Sequence, residues 1–241
     1  MRRSDRRSNY ITNGEFGGSP IKVWPPLRKE PRMGKLLYIQ ASPRGERSIS
    51  VAAADAFVNA YRRAHPAGEI KALNLFRTDL PPFDGFTLNA KYAILNGLQH
   101  TREEQAAWSK VAAVADEFKS YDKYVLAVPM WNFSIPYKLK HYLDVLIQPG
   151  LTFSFSPESG YKGLVTGKPI FLALARGGEY PPGSPAEGWD FQSKYLLTAL
   201  GFIGFTDIRV VTAEPTLGDP ALTAKRRDEA ISKAAAMAAA F

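Results

Sequence analysis

The chain has 241 residues, 45% of them hydrophobic and 22% charged, which is enough to bury a sizeable core and ordinary for a globular protein. It contains no cysteine, so thiol catalysis, thiolate metal sites and a cysteine-phosphatase chemistry are excluded together. Of the formal charge of +8, residues 1–32 carry +5 (eight Lys/Arg against Asp5, Glu15 and Glu30), which leaves +3 for the rest and little to suggest nucleic-acid binding.

Residues 1–32 are rich in Arg, Ser, Gly and Pro, without periodicity or a signal-length apolar run. They are expected to form a basic, flexible extension to a folded domain spanning 33–241. Lys35-Leu-Leu-Tyr-Ile-Gln40 reads as a buried strand, followed by the polar loop 41–50 and a helical run from Val51 to Ala64 that His65-Pro66 stops. Glu69–Leu75 reads as a strand and 76–87 as a Pro/Gly-rich connection. Helices are expected over Leu88–Leu98 and Thr101–Tyr121, the second opened by a capping box of Thr101 and Glu104. Lys123–Val128 reads as a strand buried on both faces, ended by Pro129, which has no N–H for a ladder.

Helix 137–147 follows. Leu151–Phe155 alternates like a hairpin strand before the turn material 156–160. Pro169–Ala175 is another buried strand, Trp189–Leu200 a helix, Thr206–Val211 a last strand and Ala221–Phe241 an Ala-rich helix. Five strands alternating with helices predict an α/β fold: one doubly wound parallel sheet in order 2-1-3-4-5, with a small hairpin insertion. The apolar runs are too short to span a bilayer, and the three dispersed histidines, His65, His100 and His141, suggest no metal site.

In such a sheet, ligands bind where strands hand over to helices at the carboxyl edge. The loops after the first, third and fourth of these strands open there. The first carries Ser42, Ser48 and Ser50 around Arg44 and Arg47, and a helix N-terminus with hydroxyl donors suits a phosphate. It lacks both the G-x-G-x-x-G and the G-K-[ST] patterns, which favours a single phosphate monoester; the plainer alternative is that Ser48 or Ser50 only caps the helix. The second loop shows Met130, Trp131 and Phe133 around the amide of Asn132, a mixture that fits a flat, partly polar ring better than simple core. The third, Arg176-Gly177-Gly178, lets backbone N–H groups approach such a ring closely. Together the loops describe a mononucleotide with a planar base, a flavin first among candidates.

Pro129-Met-Trp-Asn-Phe133, Ile135-Pro-Tyr-Lys-Leu-Lys-His-Tyr-Leu-Asp144, Gly150-Leu-Thr-Phe153, Gly163-Leu-Val-Thr-Gly-Lys168, Arg176-Gly-Gly178 and Leu200-Gly-Phe-Ile-Gly204 resemble, in order and spacing, the FMN-dependent NADH:azoreductase / NAD(P)H:quinone oxidoreductase family. The resemblance runs from about Met33 to the C-terminus. It implies a flavodoxin-like fold, a homodimer, non-covalent FMN, NADH or NADPH as donor, and quinones or azo compounds as acceptors. By position, Ser42, Ser48, Ile49 and Ser50 would hold the FMN phosphate, Met130, Trp131, Asn132 and Phe133 would line the isoalloxazine, and Arg176, Gly177 and Gly178 its polar edge. Trp131 and Phe155 would line the substrate site, Phe155 matching an aromatic that relatives extend toward the partner's flavin. This chain departs at Ala175, where many relatives have Ser, and at Trp131, where many have Tyr.

With such a flavin site, ping-pong hydride transfer at flavin N5 with no protein acid or base is expected, and a cytoplasmic location; the mild charge of residues 33–241 argues against nucleic-acid partners. Three rival readings stand beside it: a flavodoxin-type electron carrier, a general NAD(P)H:FMN or nitro reductase, and a redox-sensing or nucleic-acid-binding role for the basic arm. Carriers of the first kind are usually shorter and acidic.

Overall fold

The structure, a computed structural model, describes residues 34–241. The expected basic extension, residues 1–32, lies outside the described residues.

Five parallel strands form the sheet: β1 (Lys35–Gln40), β2 (Glu69–Asn74), β3 (Lys123–Pro129), β6 (Ile170–Ala175) and β7 (Ile208–Ala213). Their spatial order is β2-β1-β3-β6-β7, the expected 2-1-3-4-5 once the hairpin strands β4 (Phe153–Ser156) and β5 (Gly160–Gly163) are counted in sequence. The reason lies in the side chains. Every residue of Ile-Phe-Leu-Ala-Leu-Ala in β6 is buried, and Tyr124 to Val128 in β3 are buried too, so both strands need cover on both faces.

The period of two sorts their side chains between two cores. Leu37, Ile39, Leu126, Val128, Leu172 and Leu174 meet α3 (Arg102–Lys119), α4 (Tyr137–Leu146) and α5 (Phe191–Ile203). Leu36, Tyr38, Val125, Ala127, Phe171 and Ala173 meet α1 (Ile49–Ala64) and α6 (Pro220–Met237). The second core is rich in alanine, which brings α1 and α6 close, and Phe57 of α1 stacks on Phe171 with ring centroids 4.1 Å apart. Each fully buried Leu or Phe contributes about 1.5–3 kcal/mol relative to exposure.

The helix boundaries differ from the expected ones mainly where an acidic cap sets the start. α2 (Gly85–Leu95) begins three residues before Leu88, because the Asp84 carboxylate accepts from the N–H of Thr87 at 3.1 Å. α5 begins at Phe191 and not Trp189, because Asp190 accepts from the N–H groups of Gln192 and Ser193 at 3.1 and 2.9 Å. A short 3₁₀ turn over Pro185–Trp189 precedes it. The capping box opening α3 is present in both directions: Glu104 N–H to Thr101 Oγ1 at 3.2 Å and Thr101 N–H to Glu104 Oε2 at 2.9 Å. β7 runs two residues later than expected, because its pairing with β6 extends from Ile170–Ile208 to Ala175–Ala213.

Candidate cofactor site

Four loops open at the carboxyl edge of the sheet and enclose a cleft of about 320 Å³. It is lined by Arg44, Arg47, Ser48 and Ile49 from the loop after β1 and the start of α1, by Pro129, Met130 and Trp131 after β3, and by Ala175 and Gly177 after β6. Thr216 and Leu217 after β7, with Thr223 in the first turn of α6, complete the wall.

The serines gather in the loop after β1 and the start of α1. Ser42, Ser48 and Ser50 are all buried, and Ser48 occupies the N-cap position of α1 in an extended conformation. Its hydroxyl makes no capping bond, however. It lies 3.1 Å from Ser50 Oγ, while Ser42 Oγ accepts from the N–H of Arg44 at 3.4 Å. Ala52 N–H is bonded to Ser48 O at 2.9 Å, and the N–H groups of Ile49, Ser50 and Val51 precede any helical acceptor. Hydroxyl donors and helix N–H groups therefore converge beside two exposed guanidinium groups, which suits a phosphate dianion.

The loop after β3 holds a strained turn. Trp131 N–H bonds Ser134 O at 2.8 Å and Ser134 N–H bonds Trp131 O at 3.0 Å, so residues 131–134 close on themselves. The two central residues, Asn132 and Phe133, have φ of 45° and 69°. Both are left-handed, as a type I′ turn requires, and for a bulky aromatic that is an outlier held by its surroundings. Pro129 ends β3, but Met130 N–H still donates to Ala175 O at 2.8 Å, which carries the β3–β6 register into the cleft wall. Trp131 lies among aromatic rings, 5.7 Å from Phe76 and 6.4 Å from Tyr137. Phe133 meets Trp189 edge-on at 5.9 Å.

Of the residues singled out in the sequence, Ser48, Ile49, Met130, Trp131 and Gly177 line the cleft directly. Ser42, Ser50, Asn132, Phe133 and Gly178 belong to the same loops without forming its wall. Arg176 differs from its neighbours. Its guanidinium is 5% exposed, and each nitrogen faces a partner: Nε donates to Gln192 Oε1 at 3.0 Å, Nη2 lies 3.0 Å from Asp190 Oδ2 and Nη1 3.3 Å from Glu214 Oε2. With its side chain so committed, Arg176 stays out of the lining, which its neighbours Ala175 and Gly177 form.

Asp190 carries the matching electrostatics. Burial alone would raise its carboxyl, but hydrogen bonds from the Ser193 side chain and backbone, the Arg176 charge and the Gln192 N–H together hold it below the usual carboxylate range. Phe155 sits on the β4–β5 hairpin, 60% exposed, touching Tyr161 with ring centroids 4.9 Å apart. Thr216, Leu217 and Thr223 carry no local signal in the sequence, because the loop after the last strand holds no glycine or serine cluster. The signal available was topological: β7 runs parallel to β6, so its loop opens at the same edge.

His100 and His141 lie outside this lining, with Nε2 atoms 3.0 Å from Ala90 O and 2.9 Å from Pro81 O. No carboxylate or histidine lines the cleft among the described residues. No helix among them is long and apolar enough to cross a membrane.

A family model described as a flavodoxin-like fold matches residues 34–238. An FMN-dependent NADH:quinone oxidoreductase of Nitratidesulfovibrio vulgaris is 53% identical over 210 residues, covering 87% of this chain and all of the relative. The chain belongs to this flavodoxin-like family of FMN-dependent NADH:quinone oxidoreductases. Among solved structures, an azoreductase from Bacillus anthracis superposes with a TM-score of 0.79 at 32% identity, covering 87% of this chain and all of that one. An FMN-dependent NADH-azoreductase from the same species, solved in complex with FMN, gives 0.73 at 30% identity, covering 86% of this chain and all of that one. The match begins at residue 34, so residues 1–33 lie outside the family model.

Proposed function

We propose that this chain is an FMN-dependent NAD(P)H oxidoreductase that reduces quinones and azo compounds, working as a cytoplasmic homodimer by a ping-pong mechanism. The observation that carries the reading is the cleft itself. Its loops bring together hydroxyl and helix N–H donors after β1, the apolar side chains of Met130 and Trp131 after β3, and the backbone of a glycine loop after β6. That donor set fits a phosphate monoester joined to a planar ring.

Ser42, Ser48, Ser50 and the N–H of Ile49 hold the phosphate through hydrogen bonds to a charged acceptor, each worth about 1.5–3 kcal/mol. Arg44 and Arg47 at the mouth attract the dianion. Met130, Trp131 and Phe133 exclude water from the ring, while Asn132 and the N–H groups of Gly177 and Gly178 satisfy its polar edge. When bound, FMN supplies the two-electron chemistry that joins NAD(P)H oxidation to acceptor reduction. The residues lining the cleft offer no acid or base, so the protons come from water.

Trp131 and Phe155 flank the acceptor, an arrangement that favours flat aromatic substrates. A second copy is supported by the exposed apolar side chains of α2 and the hairpin, Phe86, Tyr92, Leu95, Phe155 and Tyr161, which are 53–66% exposed. Initial rates varied in both substrates test the mechanism. Parallel double-reciprocal lines are expected, since donor and acceptor use one stacked site in turn; intersecting lines contradict it.

A further inference from the structure

We propose that Arg176 is a positioning residue for the cleft: its side chain does not touch the cofactor but holds the loops after β3, β6 and β7 in one register. This rests on the FMN reading above. Each acceptor of the guanidinium leads to a different wall. Gln192, bonded to Nε, donates through its own Nε2 to Val128 O at 3.0 Å, two residues before Met130. Asp190, paired with Nη2, caps α5, and the adjacent Phe191 N–H donates to Phe133 O at 3.0 Å, which pins the left-handed turn. Glu214, paired with Nη1, follows β7 and also accepts from the N–H of Tyr180 at 3.3 Å. The backbone adds a further tie, because Thr216 N–H and Oγ1–H both donate to Arg176 O at 2.8 Å.

One buried side chain thus reaches the segments carrying Met130, Phe133 and Tyr180, while its own carbonyl holds Thr216. A planar guanidinium spreads five donors over a rigid fork and reaches acceptors on three sides, whereas a lysine ammonium gathers its three donors at one point on a flexible stem. Stability alone is a weak reason for the arrangement, since a buried cation facing two carboxylates loses solvation that its pairing barely offsets. The turn supplies a better one. Two non-glycine residues at positive φ persist only where neighbouring structure over-determines them, and the Phe191–Phe133 bond is such a constraint.

The test compares the wild-type chain with Arg176→Lys, Glu214→Gln and the triple variant R176M/D190N/E214Q, in which no network charge is left unpaired. FMN affinity is read by fluorescence quenching, the ring environment by visible circular dichroism of bound FMN, and folding by the thermal melt of the cofactor-free chain. Arg176→Lys and the triple variant should bind FMN about ten-fold more weakly or worse, with an altered visible band, while still melting cooperatively. Glu214→Gln, at the 26% exposed corner of the network, should fold as wild type with a smaller loss and the same spectral change. It decides the matter alone if the triple variant does not fold. Folded variants that keep the wild-type FMN affinity and band, even with lower melting temperatures, overturn the positioning role alone. A wild-type chain that takes up no FMN overturns the cofactor reading and this one with it.

Discussion

The backbone N–H of Phe191 donates to the carbonyl of Phe133 at 3.0 Å, tying the first residue of α5 to the second left-handed residue of the Trp131–Ser134 turn. An element that begins some sixty residues later in the chain therefore ties down the loop that gives the cleft its apolar lining, Met130 and Trp131.

That turn stores strain, and the strain is measurable. A left-handed conformation costs a non-glycine residue roughly 1–2 kcal/mol, whereas glycine adopts it freely. Phe133 is half exposed, so removing its ring sacrifices mainly the edge contact with Trp189. Phe133→Gly should be more stable than Phe133→Ala by about 1 kcal/mol in urea unfolding. Both should weaken cofactor binding, since both lose the ring. Equal stability of the two variants would mean that the turn carries no strain.

Gly163 closes a different joint. A Cβ added there would lie 2.4 Å from both Gly204 N and Ile203 C, and these are backbone atoms that cannot swing away. The joint is tight because Val165 N–H bonds Ile203 O at 2.8 Å, clasping the end of the hairpin onto the end of α5. Gly163→Ala should cost about 3 kcal/mol or more. Gly188→Ala, with open space around it, should stay within about 0.5 kcal/mol. Thermal melts of the two side by side check both values.

The depressed carboxyl of Asp190 sets an acid limit. Its ordinary value is 3.8 and its folded value is lower, so its contribution is fully present above that value and is lost as pH falls through the folded one. Asp190→Asn leaves Arg176 short of a partner and should cost about 3 kcal/mol near neutral pH. The gap between wild type and variant should hold down to about pH 5 and narrow progressively below about pH 4. Urea midpoints collected across that range give the profile; a gap that widens toward acid would reverse the assigned sign.

The sequence announced the sheet well because β3 and β6 are apolar without interruption, which only a doubly covered parallel strand explains. It announced the serine loop and the Met130–Phe133 loop because hydroxyls and an amide stand out where core is expected. The role of Arg176 was hidden. A basic residue before two glycines reads as part of a ligand-facing loop, and only three-dimensional placement brings Asp190, Gln192 and Glu214, up to 38 residues away, around its guanidinium. The starts of α2 and α5 escape the sequence for a simpler reason: Asp84 caps α2 from inside a Pro/Gly-rich stretch that reads as loop, while Trp189 and Asp190 read as helix although a 3₁₀ turn and the cap of α5 occupy them.

The visible absorption spectrum of the purified chain, after incubation with FMN and removal of free flavin, tests the central claim most directly. The account predicts retained bands of oxidised flavin that bleach when NADH is added without air and return when a quinone follows. A chain that stays colourless, or that holds FMN which NADH does not bleach, would contradict it.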